Sequence, residues 1–432
     1  MLKTNLLMRD RDLANIWHPC SQMKDYERLP FIPIKSAKGI YLYDFDGNRY
    51  IDAISSWWVN LFGHSNNYIN KKIKEQLETL EHVIFAGFTH EGAIRLAERL
   101  TELTPKGLDK VFFADNGSSA IEVALKLSFQ FFKNRGEVRD IFISLENSYH
   151  GETLGALAVG DVSLYKETYK EILIKTIQAK SPALVSEDEA IESLKELLIK
   201  YNGRVNSLII EPLVQCAGGM AMYDPSYIKR AKELCEEYGV FLISDEIAVG
   251  FGRTGNMFAY ESADIVPDFL CLSKGITGGY LPLSVVLMSD EIYSAFYCDY
   301  GEGKSFLHSH SYTGNALACA AANATLDIFE SEDILNKNRK KIDLMSKLLK
   351  RFNDLPNVKE FRQRGMIVAI ELDGYKPDDR IGLKIYEYSL KRGVLLRPLG
   401  NVIYIMPPYI VSDEELVYIF DVAFDSIKSL II

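Results

Sequence analysis

Residues 240–255 read VFLISDEIAVGFGRTG, an apolar run that ends with Asp245 and Glu246 side by side. Two adjacent carboxylates at the end of a core strand need a cation or hydrogen bonds to offset their desolvation. Other apolar runs end in equally reactive residues. Lys274 follows DFLCLS, Glu211 follows NSLII, Tyr149 and His150 follow DIFISL, and Asn116-Gly117-Ser118-Ser119 follow KVFFAD. In open α/β sheets ligands sit beyond the carboxyl ends of the strands, so these side chains should converge on one rim. A carboxylate, an amine, an aromatic ring and small hydroxyl residues on such a rim could hold a planar, cationic, phosphorylated ring.

Pyridoxal 5'-phosphate has those properties. A carboxylate against its pyridine nitrogen in a low-dielectric site keeps the nitrogen protonated and the ring an electron sink, and Asp245 is the candidate. Lys274 supplies the amine that bonds the aldehyde carbon, because burial beside a cationic ring lowers its pKa. Gly117, Ser118 and Ser119 offer amides and hydroxyls to the phosphate at a helix N-terminus. Tyr149 lies on the ring face in this reading. Each residue alone has a duller role, as a solvated strand end, a surface lysine, a helix cap or a rim aromatic. Their joint placement after successive strands argues for a site.

Gly250, Gly252 and Gly255 form a literal GxGxxG after a strand. The context argues against dinucleotide binding: two carboxylates precede the glycines where pyrophosphate would be repelled, and Pro267 interrupts the poor helix that follows. Arg253 in this loop could bridge acidic neighbours.

The elements that must position the rim follow from periodicity. Asp46-Gly47 suits a tight hairpin within GIYLYDFDGNRYIDA. In SSAIEVALKLSFQFF, Ile121, Ala124, Leu125, Phe129 and Phe132 fall on one helical face, and Ser119 with Glu122 has capping-box spacing. Continuous apolar runs predict strands covered on both faces, and DPSYIKRAKELCEEYG carries the punctuation of a crossover helix. The chain after about residue 320 mixes helices with short strands and ends in a helix opened by the capping box Ser412 to Glu415. The expected architecture is therefore α/β: residues 61–320 form a large domain with a mostly parallel, mixed sheet, and 321–432 a smaller α+β domain that the N-terminal segment 1–60 joins.

Whole-chain properties bound the partners. The 432 residues carry 49 Lys and Arg against 59 Asp and Glu, a formal charge of -10, which argues against nucleic acid or an anionic membrane as partner. Six cysteines without a CxxC pair read as reduced thiols in a cytoplasmic protein, with no structural metal. No run of about 18 apolar residues predicts a membrane span.

The segments LISDEIAVGFGRTGNMFAYE and DFLCLSKGITGGYLPLS resemble the signature of the class III pyridoxal-phosphate aminotransferases. IWHPCSQM, SSWWVNLFGH, NSYHGETLGALAVG, HSHSYTGNALACAAANATL and GVLLRPLGNVIYIMPP are similar to the branch of that family that acts on 8-amino-7-oxononanoate in biotin biosynthesis. The resemblance implies the type I fold of pyridoxal-phosphate enzymes, as a homodimer with its active site at the interface. It implies the cofactor-bonded lysine at Lys274, the pyridinium carboxylate at Asp245, phosphate contacts at Gly117 and Ser118, and a ring-stacking, substrate-contacting tyrosine at Tyr149. Ser309, His310 and Ser311 match a loop that completes the phosphate cup of the partner subunit. Trp57 matches a substrate wall and Arg397 the arginine that holds the substrate carboxylate, while Trp58 fits core packing or a substrate role equally.

The resemblance further implies a ping-pong transamination that gives 7,8-diaminononanoate, with S-adenosylmethionine or lysine as amino donor. This chain has Cys20 where many members have a substrate-touching Tyr, and Leu399 where an aromatic is common. Both make the expected pocket less aromatic and leave the donor open. Ser311 replaces a threonine and keeps the hydroxyl. Ornithine, 4-aminobutyrate or diamine aminotransferases and a glutamate-1-semialdehyde mutase are the rival enzymes, which should lack the double Trp and the context of Arg397. A catalytically silent binding protein is the rival of another class, opposed by the presence of both Lys274 and Asp245.

Overall fold

Short apolar runs rich in β-branched residues form the strands, and amphipathic stretches between them form the helices. The computed structural model describes residues 4–430 and divides into two units, Met1–Asn67 with Lys340–Ile432 and Tyr68–Arg339. In chain order, β1 (Ile34–Lys38), β2 (Tyr41–Asp44) and β3 (Arg49–Asp52) belong to the smaller unit. The larger unit holds β4 (Lys110–Ala114), β5 (Ile141–Leu145), β6 (Thr176–Ala179), β7 (Val205–Ile210), β8 (Val214–Gln215), β9 (Ala221–Met222), β10 (Phe241–Asp245), β11 (Phe269–Leu272) and β12 (Ser284–Met288). The chain then returns to the smaller unit with β13 (Val358–Arg364), β14 (Ile367–Leu372), β15 (Val394–Leu395) and β16 (Val402–Ile405).

The larger unit is built on a sheet of order β4-β12-β11-β10-β7-β5-β6. β12 runs antiparallel to β11 and β4; the pairs β11/β10, β10/β7, β7/β5 and β5/β6 are parallel. The carboxyl ends of β4, β5, β7, β10 and β11 therefore share one edge. Every residue of β5, β7, β11 and β12 is buried, as expected for strands covered on both faces. The helix Gly117–Asn134 packs on the sheet through Ile121, Ala124, Leu125 and Phe132. Phe129 departs from the expected face: it is exposed, while Val123, Leu127 and Phe131 are buried alongside the predicted residues. Asp224 and Pro225 open the crossover helix Pro225–Glu237 as predicted.

The larger unit runs to Arg339, past the expected boundary at 320. The helix Ala316–Glu332 packs on the helix Glu91–Leu103. Asn323 Nδ2 donates to the Gly92 carbonyl at 2.8 Å, and Arg99 Nη1 donates to the Asn323 carbonyl at 2.8 Å.

In the smaller unit, β2 and β3 form the predicted hairpin, with Gly47 at φ 89° in its turn. β15 pairs with β3, so the sheet β1-β2-β3-β15 joins segments some 340 residues apart. β13-β14-β16 form a second sheet. The capping box Ser412 to Glu415 opens the last helix, Asp413–Lys428. Residues 1–3 and 431–432 of the expected domains lie outside the described residues. Among the described residues no helix is long and apolar enough to cross a membrane, and no cluster of three or more His, Cys, Asp or Glu is placed to hold a metal.

Candidate active site

The carboxyl edge of the large sheet gathers the predicted rim. Asp245 ends β10 and is 5% exposed. Its Oδ2 lies 2.7 Å from His150 Nδ1, and its Oδ1 accepts from the Ile247 amide at 3.1 Å. His150 is buried, and its Nε2 meets no hydrogen-bond partner among the described residues. Glu211 follows β7 and accepts the Tyr149 amide at 2.8 Å and the Cys216 amide at 2.9 Å. Burial raises the Glu211 pKa to about 7, opposed by His150 and reinforced by Asp245. Lys274 starts a 3-10 turn, Lys274–Thr277, with φ 46°. Burial lowers its pKa, while Cys216, Asp245 and Glu211 pull it back up, so amine and carboxylates share one electrostatic environment.

The helix Gly117–Asn134 presents its N-terminus to the same edge. The predicted capping box does not form. Asn116 Oδ1 accepts the Ser119 amide at 3.1 Å as the cap, and Glu122 instead accepts the amides of Gly155 at 2.8 Å and Ala156 at 3.2 Å. The amides of Gly117 and Ser118 have no intrahelical acceptor at these positions. Ser118 Oγ accepts the Glu152 amide at 3.3 Å, and a Cβ on Gly151 would come within 2.1 Å of that Oγ. Ser118 and the segment 149–152 are thus held together. Tyr149 is half-buried, with its hydroxyl donating to Glu152 at 3.1 Å.

These residues suit pyridoxal phosphate. A buried carboxylate held by a histidine, a lysine with lowered pKa, and two amides at a long helix's N-terminus match the ring cation, the aldehyde and the phosphate. The GxGxxG segment does not suit a dinucleotide: residues 247–254 form successive turns and no α-helix opens there. Glu246 faces inward, accepting the amides of Ala259 at 2.5 Å and Tyr260 at 2.8 Å.

Trp57 and Arg397 belong to the smaller unit and meet there. Ser55, Ser56, Trp57 and Trp58 all have positive φ, between 46° and 74°, a left-handed turn costing roughly 1 kcal/mol or more per non-glycine residue. Buried and part-buried hydrogen bonds hold it. Asp52 accepts the Ser56 amide at 2.9 Å and its hydroxyl at 2.7 Å, and Ser55 Oγ donates to the Met406 carbonyl at 2.7 Å. His64 Nε2 in turn lies 2.9 Å from Asp52. The turn sends Trp58 into the core, edge-on to Tyr404 at 6.0 Å, and Trp57 outward, where the Arg397 guanidinium lies 4.3 Å over its ring.

Trp57 and Arg397 line a hollow of about 380 Å³ that Cys20, Tyr26 and Tyr386 also line. Arg397 Nη2 donates to the Cys20 carbonyl at 3.2 Å, and Arg397 has no carboxylate partner among the described residues. Leu399 does not thin the aromatic lining as expected. It sits in the turn back to β16, exchanging backbone hydrogen bonds with Val402 at 2.8 and 2.9 Å, while Tyr26 and Tyr386 supply the aromatic surface.

The segment Ser309-His310-Ser311 lies in the larger unit with both serines exposed. His310 Nε2 is 3.1 Å from His308 Nε2, and His308 Nδ1 is 2.9 Å from Lys126 Nζ. Sequence reasoning gave no role to His150, whose only signal was its place after a strand, and none to Asp25, Arg380 or Tyr386 of the hollow.

The family model for class III aminotransferases matches residues 22–427. The chain belongs to that family, whose members use pyridoxal phosphate, and it has the type I fold. It is 53% identical over 411 residues to an adenosylmethionine-8-amino-7-oxononanoate aminotransferase of Helicobacter pylori, covering 94% of each chain. The crystal structure of the enzyme of that name from Methanocaldococcus jannaschii superposes with a TM-score of 0.95 at 39% identity, over 98% of this chain and 99% of that one. A PLP-bound amine transaminase from an uncultivated Pseudomonas species gives a TM-score of 0.89 at 32% identity, over 95% and 98%.

Proposed function

We propose that this chain transfers an amino group from S-adenosylmethionine to the keto carbon of 8-amino-7-oxononanoate, giving 7,8-diaminononanoate for biotin biosynthesis, with lysine as the alternative donor. The observation that carries this choice of acceptor within the family is Arg397, a guanidinium without a carboxylate partner among the described residues, placed over the Trp57 ring in an aromatic-lined hollow. A medium-chain keto acid needs an apolar wall for its methylenes and a two-pronged donor for its carboxylate. The names of the relatives at 37–53% identity support the same reading.

When bound, the cofactor would supply an electron sink for the pair left by the substrate's breaking carbon–hydrogen bond. The residues do the rest. Asp245 holds the proton on the pyridine nitrogen, and His150 Nδ1, 2.7 Å away, fixes the carboxylate's orientation. Lys274 Nζ takes the proton from the donor's α-carbon and returns one to C7 of the acceptor in the second half-reaction. A lysine already biased toward its neutral form by burial suits both tasks. Glu211 holds the backbone of Tyr149, and so the ring that covers the cofactor face. Gly117 and Ser118 hold the phosphate through amides and hydroxyl. The substrate-facing positions of the family pattern fall on Trp57 and Cys20, which line the hollow of the smaller unit, and on Tyr149 and Ser309.

In this reading the protein works in the cytoplasm as a homodimer, each subunit lending its Ser309-His310-Ser311 loop to the partner's phosphate. Among the described residues no cysteine pair forms a disulfide, which supports a reducing compartment. Leu307 at 91% and Tyr312 at 63% exposure flank the loop, which supports a covering subunit.

The test supplies S-adenosylmethionine, lysine, ornithine and 4-aminobutyrate separately to the holoenzyme in single turnover. S-adenosylmethionine should discharge the cofactor's visible absorbance, and 8-amino-7-oxononanoate should restore it with formation of 7,8-diaminononanoate. Discharge by lysine alone would move the donor, and failure of 8-amino-7-oxononanoate to restore the band would refute the acceptor.

A further inference from the structure

Two arginines, Arg397 and Arg380, line the hollow of the smaller unit, and Asp25 is the one carboxylate among its lining residues. A hollow with two available guanidinium groups offers a carboxylate two places to bind, and only one of them sets the reacting carbon where it must be. The two arginines differ in their partners. Arg380 grips Asp25 with both ends of its fork: Nη1 donates to Oδ1 at 2.7 Å and Nη2 to Oδ2. Among the described residues Arg397 makes one hydrogen bond, to a carbonyl, and lies over the Trp57 ring.

The pairing has a further mark. Arg380 holds its backbone in the left-handed region, φ 46°, as the residue that opens the helix Ile381–Lys391. Arginine adopts that conformation only when its surroundings require it. Asp25 lies in the short 3-10 turn Met23–Glu27, which carries the Cys20–Leu29 segment across the hollow.

We propose that Asp25 is a specificity-determining residue: by quenching Arg380 it leaves Arg397 as the one uncompensated guanidinium of the hollow, so that a substrate carboxylate has a single register. This rests on the reading that Arg397 binds that carboxylate. Asp25 touches no reacting atom and acts through Arg380, as a positioning residue.

Freeing Arg380 adds a second, unproductive carboxylate site. Unproductive binding lowers kcat and KM together and leaves kcat/KM unchanged, whereas loss of packing raises KM. For the holoenzyme Asp25→Asn, kcat and KM for 8-amino-7-oxononanoate should both fall about five-fold, the scale of a part-exposed ion pair. Asp25→Glu should retain the parent values. The double variant Asp25→Asn/Arg380→Gln, which removes the second cation, should return kcat and KM toward those values, with cofactor absorbance unchanged throughout. A rise in KM for Asp25→Asn, unchanged constants, or a double variant no better than the single one would overturn the inference. Arg397→Gln in parallel separates the two levels: an unchanged KM there would overturn the carboxylate reading itself, and Asp25's role with it.

Discussion

The carboxyl edge of the large sheet and the hollow of the smaller unit commit their polar atoms to different degrees. At the sheet edge Asp245, His150 and Glu211 are 5% exposed or less. Both oxygens of Asp245 are bound, by His150 and the Ile247 amide, and Glu211 is bound by two amides. In the hollow Trp57 is 38% exposed and Arg397 lies on it with one hydrogen bond. Cys20, which stands where the resemblance implies a tyrosine, lines this hollow. Chemistry common to the family demands fixed groups in a low dielectric, whereas the choice of substrate can be tuned at a part-exposed surface without disturbing them.

Variants can break this comparison. Lys274→Ala should abolish the lysine-bonded absorbance and lower turnover by about 10⁴-fold or more, read by spectrum and single turnover. Asp245→Asn keeps the shape but removes the charge. It should cost kcat about 10³-fold, with most of the cofactor still bound by equilibrium dialysis. Trp58→Ala opens a core cavity and should destabilise the protein by about 3 kcal/mol in denaturant melts, while Trp57→Ala should leave the melt unmoved and raise KM. Arg397→Gln should raise KM for 8-amino-7-oxononanoate about 30-fold with kcat nearly unchanged. Equal losses in kcat would show that the hollow is as tightly coupled to the chemistry as the sheet edge.

The smallest effect concerns pH. Burial raises the pKa of Glu246 to about 8, opposed by the amides it accepts. The folded state then holds this proton more tightly than the unfolded one, so the contribution is complete below the unfolded value near 4.5 and is lost as pH rises through about 8. The thermal midpoint of the apoprotein should fall from pH 6 to pH 9, and Glu246→Gln should flatten that fall. An identical slope in the variant would remove Glu246 from the account.

Much of the sheet edge was legible because strand ends have a sequence signature: an apolar run, then a residue that such a run does not explain. Asp245, Lys274, Glu211, Tyr149 and Ser118 could all be found that way. The hollow is made by contacts between residues distant in sequence. Nothing in MKDYE foretells that Asp25 meets Arg380, 355 residues on, and the left-handed turn of SSWW contradicts the preferences of its own residues. The expected capping box failed because a local pattern was outweighed by neighbours: Asn116 took the cap assigned to Ser119, and Glu122 was drawn to Gly155 and Ala156. The same holds for the boundary at 320, which Arg99 and Asn323 carry past the end of the sheet.

The central claim is that Lys274 and Asp245 bracket one cofactor, the first through its aldehyde carbon and the second through its ring nitrogen. Borohydride reduction of the holoenzyme, followed by peptide mass mapping, tests the covalent half directly. The account predicts one phosphopyridoxyl adduct per chain, on the peptide that contains Lys274, and no adduct on that peptide in Lys274→Ala. An adduct on another lysine, or no adduct from a coloured protein, would contradict it.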